Sequence, residues 1–359
     1  TPPSRESLND FARPATTIFS LYFSSRRVLI SGSPINPVLS TEERFCHECD
    51  TFMHDLQFYL DEFAKDDLMY VFLPIFLLAL VIEAAIDRKQ SRHLFEKQDT
   101  IASLWMTVFV VFVDVLPKFL ALIAFYFLHS ISPLADIVQR QWWAWLLLFF
   151  LDDITYYCMH RANHEVRILW AGHVSHHSAV KMNFATALRQ GVTERVHKYA
   201  FWLPLPLLGF DPMMIFLMMS INLFYQFWLH TELIDKLPLW FENVFNTPSH
   251  HRVHHASNIR YLDCNHAGVL IIWDKLFGTF SPEAEGEPPV YGLTTNITSY
   301  HPLHVATHEY SSILADVKRA ETTADKLRYI LKAPGWSHDG EDRRAKVLRH
   351  KAGLELEHA

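Results

Sequence analysis

Glycine is scarce in this chain, at 11 of 359 residues, which is about 3% against a usual level of about 7%. This shortage argues against glycine-rich nucleotide-binding folds and long all-β architectures. Cysteine is also rare, and four residues at 46, 49, 158 and 264 do not make a spaced disulfide framework. Positive charge is not in excess: the formal charge is −7 and the pI is near 6.3. Bulk electrostatics therefore do not favour nucleic acid as a partner.

Apolar bulk, in contrast, is plentiful and segregated into long runs. Half of the residues are hydrophobic and 14% are aromatic, which excludes a disordered chain. The runs cover residues 68–86, 101–128, 142–151 and 199–229. A membrane-spanning helix needs about 20 predominantly apolar residues. We interpret 101–128 as either one kinked span or two short helices, and 199–229 as a hairpin of two helices. A soluble helical protein with buried helices is the alternative.

The charges between these runs predict an orientation. Lysine and arginine concentrate in residues 87–99 and 160–198, and the positive-inside rule places such segments in the cytoplasm. Residues 231–359 should lie on the same side if the hairpin enters the membrane and returns. We expect an all-α, integral membrane helical bundle with a cytoplasmic, histidine-rich cap that holds two metals. Its predicted parts are an N-terminal peripheral segment (1–66), the membrane-embedded catalytic domain (67–295) and a polar, helical C-terminal tail (296–359).

Histidine is unusually frequent, with 22 copies in 359 residues, and three clusters of it indicate a chemical function. Residues three and four apart share one face of a helix, so each cluster can direct two or three nitrogens at one point. Eight ligands are too many for one zinc, which usually takes four, and they suit two transition metals with open positions. The clusters comprise His160 and His164; His173, His176 and His177; and His251, His254 and His255.

His230 is a ninth candidate ligand, because it ends the apolar hairpin and returns to the membrane surface beside the clusters. His250 adjoins the third cluster but would point about 100° away from His251 on a helix, so it ranks lower. A lone histidine is more often a surface or core residue than a ligand. We apply that interpretation to most of the others, and treat His197 and His266 as residues that could support the ligands.

Three polar side chains are candidate catalytic residues: Asp153, Glu165 and Asn265. Asp152 and Asp153 lie at the end of an apolar run shortly before His160, where a carboxylate is costly in lipid. Asp153 could accept the second N–H of a ligand histidine, or both could simply mark the helix end. Glu165 directly follows His164 and could act as a ligand or a base. Asn265 could donate a hydrogen bond near the site.

The three clusters resemble the fatty acid hydroxylase / sterol desaturase superfamily of membrane di-iron enzymes. The family pattern is H-x3/4-H, H-x2/3-H-H and H/Q-x2/3-H-H. Two flanking stretches, residues 246–255 (NTPSHHRVHH) and 268–280 (GVLIIWDKLFGTF), look similar to the alkylglycerol monooxygenase branch and its bacterial relatives. Glu165 also matches that branch. Some relatives carry H-x3-H before the third cluster, where this chain has Gln226 and His230. His266 stands where close relatives often have tyrosine.

The resemblance implies O2 activation at two iron ions and insertion of a hydroxyl group into a C–H bond of a lipid, such as an ether lipid, a fatty acyl chain or a sterol. Zinc could replace iron during purification, since imidazole suits both. The sequence has no haem-binding motif of the cytochrome b5 type, no C-x4-C-x2-C spacing and no dinucleotide fingerprint. We therefore expect a separate electron donor: a reductase, a ferredoxin, cytochrome b5 or a reduced pterin. The branch resemblance suggests tetrahydrobiopterin.

Other functions stay open from the sequence. A lipid or sterol desaturase would use the same di-iron centre. A metal transporter would need ligands inside the spans, whereas these lie mostly in flanking segments. A catalytically inactive lipid-binding protein would have no need of eight ligands. The expected location is an integral membrane protein of the bacterial inner membrane or the endoplasmic reticulum, with its active site on the cytoplasmic side.

Overall fold

The computed structural model describes residues 57–61 and 68–354, with side chains from residue 72 in the second range. The chain divides between Asp61 and Glu62 into two units. Of the first unit, residues 57–61 are described and form a single helical turn. The predicted peripheral segment, residues 1–66, otherwise lies outside the described part of the chain. Everything below concerns the second unit.

The described residues of this unit form helices and no β-strand, as the all-α prediction required. Two isolated bridges, Phe245 with Leu270 and Ala256 with Tyr291, are the extended pairings found there. The first four helices are α1 (Leu68–Gln90), α2 (Lys97–Ile131), α3 (Ala135–Val138) and α4 (Trp142–Glu165). The next five are α5 (Arg167–His177), α6 (Phe184–Leu188), α7 (Glu194–Lys198), α8 (Pro204–Leu207) and α9 (Pro212–Phe227). The last six are α10 (Leu239–Glu242), α11 (Pro248–His254), α12 (Ile272–Leu276), α13 (Pro302–Arg319), α14 (Thr323–Leu331) and α15 (Ala345–Lys351).

Helix α2 settles the choice left open for residues 101–128, because it is one continuous helix of 35 residues that includes Pro117. Within the described chain it is the helix long and apolar enough to cross a membrane, and 22% of its most apolar 18 residues are buried. The apolar arm α9 is shorter, at 16 residues. Length and composition thus make α2 a candidate span.

The far end of the bundle is closed by polar contacts. The hydroxyl of Ser132, after α2, donates to the carbonyl of Leu207 at the end of α8. Arg140 donates to the carboxylate of Asp211, which also caps α9 by accepting from the amides of Met213 and Met214. The chain reaches this end through α8, the short first arm of the predicted hairpin, and leaves it through α9, the long second arm.

At the other end, buried carboxylates tie the long helices to the histidine-bearing segments. Glu83 on α1 accepts from the amide of Phe184 and the hydroxyl of Thr231. Asp99 on α2 accepts from the guanidinium of Arg189. Helices α4, α5 and α11 start or end near this edge, so the histidines collect there.

The C-terminal segment, residues 296–354, packs against this histidine end. Arg167 at the start of α5 forms ion pairs with Glu309 and Asp316 of α13, each at 2.7 Å. The hydroxyl of Tyr310 donates to that of Thr193 at 2.7 Å. The segment is polar in composition, and it is docked on the helices that carry the histidines.

Candidate metal centre

Nine histidines from four parts of the chain converge in two adjoining groups. We call them group A and group B. Group A contains five: His160, His164, His173, His177 and His254. Group B contains four: His176, His230, His251 and His255. All nine side chains are buried, and within each group the ligand atoms lie within 4.8 Å of one another. The structure thus brings together all nine histidines that the sequence singled out.

Histidines of one sequence cluster are divided between the two groups. On α5, His173 and His177 are four residues apart and both join group A, whereas His176 joins group B. In the third cluster the pair four residues apart belongs to group B instead. His251 and His255 join group B, and His254 joins group A. The groups adjoin because the rings of His177 and His255 stack with their centroids 4.5 Å apart.

The hydrogen-bond partners on the outer side of the rings fix their tautomers. The Nδ1 atom of His160 faces the carbonyl oxygen of His266 at 2.8 Å, and that of His173 faces a carboxylate oxygen of Glu194 at 2.7 Å. These oxygens can only accept, so Nδ1 carries the proton in both rings. Both Nε2 atoms are then bare, and yet they lie 3.0 Å apart.

Group B repeats this arrangement. His176 donates from Nδ1 to the carbonyl of Arg189, and His230 donates from Nδ1 to the carbonyl of Gln226, in the last turn of α9. Their Nε2 atoms lie 3.2 Å apart. In group A, the Nε2 atoms of His164 and His254 are buried without any hydrogen-bond partner. Facing lone pairs and unpartnered buried nitrogens are unfavourable unless a cation lies between them.

The electrostatics favour neutral imidazoles, the form that binds a metal. Burial, followed by the neighbouring histidines, lowers the pKa of His177, His254 and His255 well below the usual range. These rings therefore present lone pairs rather than protons at neutral pH.

The spacing of the nitrogens fits a metal that has more than four ligands. With metal–nitrogen bonds of about 2.1 Å, nitrogens at right angles lie about 3.0 Å apart and those at the tetrahedral angle about 3.4 Å apart. The contacts between Nε2 atoms measure 2.9–3.2 Å. These closest contacts are near the right-angle spacing, and all ligand atoms of a group lie within 4.8 Å of one another, so each donor set fits one metal ion.

Comparisons with known proteins cover the segment that carries both histidine groups. Residues 145–279, which include all nine histidines, match the family model described as fatty acid hydroxylase. These residues are therefore similar to fatty acid hydroxylases, and we call the matched segment the hydroxylase domain. The match covers α4 through α12, which carry all nine histidines of the two groups.

Curated relatives extend the similarity beyond the hydroxylase domain. The chain is 39% identical to human alkylglycerol monooxygenase over 266 residues, which is 74% of this chain and 58% of that protein. It is 45% identical to alkylglycerol monooxygenase of Danio rerio over 196 residues, or 54% of this chain and 43% of that protein. It is 30% identical to the ornithine lipid hydroxylase of Rhizobium tropici over 143 residues, or 39% of this chain and 43% of that protein.

The chain therefore spans about half the length of the relatives that it matches. Their names describe monooxygenation and hydroxylation, and so the comparisons do not favour the desaturase alternative. No solved structure matches the chain.

The three predicted catalytic side chains lie outside both histidine groups of the hydroxylase domain. Asp153 accepts from the amides of Val269 and Leu270 and from the indole of Trp273, instead of from a ligand histidine. It lies seven residues before His160, about 10.5 Å along the helix, which is too far for a carboxylate to reach that ring.

The other two predicted residues have structural partners as well. Glu165 is half-exposed and pairs with Arg161 at 2.9 Å, because the residue after His164 points about 100° away from it. The side chain of Asn265 donates to the carbonyls of His250 and Ser281 and accepts from the amide of Ser281. It ties two loops together.

The structure also shows the contacts of the other residues that the sequence analysis named. Gln226 is outside group B and donates to Asn222. His197 is hydrogen-bonded to Asn163, and His250 lies beside Phe280, away from the groups. His266 packs its ring against His164 and His254 and supplies the carbonyl that holds His160.

Sequence reasoning missed the carboxylates that hold ligand rings. Glu194, at the start of α7, is buried and accepts from His173. Burial raises its pKa, but His173 together with the nearby Arg195 and Lys198 outweighs that effect and lowers the pKa below the usual range. Asp263 lies 3.3 Å from Nδ1 of His164. Neither residue belongs to a repeated spacing pattern such as that of the histidine clusters, so the sequence alone does not distinguish them.

Glu194→Gln is expected to weaken metal binding in group A by about 10–100-fold, the usual cost of losing an outer partner of a ligand histidine. The amide can still accept a hydrogen bond, but it lacks the charge that makes the imidazole a stronger donor to the metal. Competition with a coloured chelator measures the change. Glu165→Gln is the matched control and should bind metal as the unaltered protein does; equal weakening in both variants would contradict the assignment of Glu194.

Proposed function

We propose that this protein is a membrane-bound monooxygenase that holds one iron ion in each histidine group and hydroxylates a C–H bond of a lipid. The observation that supports this proposal most strongly is the convergence of nine buried imidazoles. Outer partners leave Nε2 bare toward the other ligands in four of them: His160, His173, His176 and His230. Such a donor set suits an iron with open positions better than structural zinc. The names of the relatives support lipid oxidation as the reaction.

The exposed surface of the long helices supports embedding in a membrane. Large apolar side chains are exposed along α1, α2 and α4, and Phe112 is 74% exposed. A continuous apolar surface of this kind marks contact with lipid or with another protein. The side chains at these positions include Leu78, Val81, Phe112, Val115, Leu116 and Leu146.

Helix α4 relates the metal site to the bilayer. It begins at Trp142, which is 77% exposed, and tryptophan favours the membrane interface. His160 follows 18 residues later, about 27 Å along the helix, and the hydrocarbon core is about 30 Å thick. The two histidine groups would then lie near the opposite interface, which the distribution of lysine and arginine assigns to the cytoplasm.

This placement suits an amphiphilic substrate. Its apolar chain would lie along the helices while its polar head stays at the interface beside the two groups. The metal pair, when bound, supplies activation of O2 and the power to cleave an unactivated C–H bond. The overall reaction consumes the C–H compound, O2, two electrons and two protons, and yields the alcohol and water.

The chain's own residues hold the ligands ready for this reaction. The carbonyls of His266, Arg189 and Gln226 and the carboxylate of Glu194 keep Nδ1 protonated and Nε2 free. Burial of the rings excludes water from the ligand atoms. The two electrons come from a separate donor, for which we propose a reduced pterin, a ferredoxin or a reductase.

The test uses the full chain, loaded with iron and reconstituted in lipid nanodiscs. Alkylglycerols, fatty acyl lipids and ornithine lipids are offered with 18O2, and tetrahydrobiopterin or a ferredoxin with its reductase serves as the donor. Mass spectrometry should detect one 18O atom in the product. Omission of O2 or of the donor should abolish this product.

Two other outcomes would change the assignment. A product that lacks two hydrogens and carries no 18O would indicate a desaturase. A protein that binds two metals but alters no lipid with any donor would overturn the proposal.

A further inference from the structure

One short loop supplies hydrogen-bond acceptors to three of the five imidazoles of group A. We call residues 262–266 the acceptor loop. The carboxylate of Asp263 faces His164 at 3.3 Å, the carbonyl of Cys264 accepts from His254 at 2.9 Å, and the carbonyl of His266 accepts from His160 at 2.8 Å. Group B finds its acceptors elsewhere, at Arg189 and Gln226. The loop therefore acts on group A.

The acceptor loop has a left-handed backbone at two positions. Asp263 and Asn265 have positive φ angles of 52° and 57°, which aspartate and asparagine adopt more readily than other residues with a side chain. Contacts on both sides hold the loop in place.

The downstream anchor belongs to the hydroxylase domain. The carboxylate of Asp274 accepts from the amides of His266 and Ala267, each at 2.8 Å. The side chain of Asn265 bonds to the backbone of Ser281 on the following segment. These contacts fix the end of the loop that holds His160.

The upstream anchor comes from the C-terminal segment. The guanidinium of Arg349, on α15, donates to the carbonyl of Leu262, directly before Asp263. Arg349 is 6% exposed, so this contact is shielded from water. Helix α15 lies 66 residues after the end of the family match at residue 279.

The C-terminal segment also contacts the other outer partner of group A. Tyr310 on α13 bonds to Thr193, directly before Glu194, which holds His173. The same segment thus reaches one residue away from both carboxylates that face group A rings. A polar tail without a role in the centre would not need to meet these two positions.

We propose that Arg349 is a positioning residue for the metal in group A: α15 latches the acceptor loop and so keeps His164 and His254 oriented toward the metal. This inference rests on the proposed function, because it requires that group A holds a metal. It assigns a role in the metal centre to a helix outside the hydroxylase domain.

The test compares Arg349→Met with Arg343→Met in the iron-loaded full chain. Arg343 lies on the same segment, is an exposed residue and pairs with Glu341, so its loss is a matched control. Iron content is measured after a fixed chelator challenge, with Mössbauer spectra of the bound iron. His164→Ala and His230→Ala identify the spectral components of groups A and B.

We expect Arg349→Met to bind iron in group A at least about tenfold more weakly, as for other outer contacts of metal ligands, and to keep the group B signal. The control should retain both ions. If Arg349→Met does not fold, Arg349→Lys decides, because lysine keeps a long stem and a donor; it should lose group A iron to a smaller extent.

Unchanged affinity and an unchanged group A spectrum in the folded Arg349 variants would overturn this inference while the proposed function stands. Loss of iron from group B alone would overturn it too. A wild-type protein that binds no metal would overturn both proposals, so the two failures are distinguishable.

Discussion

His251→Ala is expected to bind one metal per chain instead of two and to lose lipid oxidation by a factor on the order of a thousand or more, above the 10–100-fold typical of outer contacts. His251 is central to group B. Its Nε2 atom lies 2.9 Å from that of His230 and 3.1 Å from that of His255. Alanine leaves three donors and a gap among them. Metal content by mass spectrometry and product formation measure the two effects.

The neighbouring histidine provides a control of the same residue type. His250 is buried one position earlier on α11, but its ring lies 5.4 Å from that of Phe280 and its Nε2 lies 3.9 Å from the carboxylate of Glu242. His250→Ala should therefore keep both metals. If both variants, correctly folded, lost the same metal, our division of this cluster would be wrong.

Asp153→Ala is expected to lower the free energy of unfolding by about 3–5 kcal/mol, because it leaves buried donors without a partner. The carboxylate accepts from the amides of Val269 and Leu270 at 2.7 and 2.9 Å and from the indole of Trp273 at 2.9 Å. These donors fix the segment after the acceptor loop against α4. Thermal unfolding in detergent should shift down by roughly 5–10 °C.

The folded fraction of Asp153→Ala should still bind both metals, since Asp153 bonds to the backbone and an indole rather than to an imidazole. Asp136→Ala, at an exposed position after α2, is the stability control. A variant with unchanged stability but no oxidation would instead support the catalytic role that the sequence suggested for Asp153.

Most of the correct predictions from the sequence, the histidine pairs and the helices, came from local helical periodicity. The spacing of His160 with His164 needs only a helix to place both rings on one face, and the structure provides that helix. The same reasoning separated His251 from His250. Long apolar runs likewise indicated helices, although only the structure decided that residues 101–128 belong to one helix.

Proximity along the chain was a poorer guide to the surroundings of the histidines than helical spacing. Asp153 and Glu165 lie close to His160 and His164 in sequence, but distance along the helix axis and rotation around it direct them elsewhere. The carboxylates that do face ligand rings, Glu194 and Asp263, come from segments without a repeating pattern. No count of spacing could have selected them.

By itself, the sequence determined which histidines could act together, because the turn of a helix is a local property that fixes which side chains share a face. Only the tertiary structure decided that they divide into five and four, with His176 and His254 crossing to the group opposite that of their cluster neighbours. That division depends on how α4, α5 and α11 pack against one another. Outer contacts of group A also come from distant segments: Asp263 faces His164 from 99 residues away, and Arg349 contacts Leu262 from 87 residues away. Such contacts leave no periodic trace in the chain.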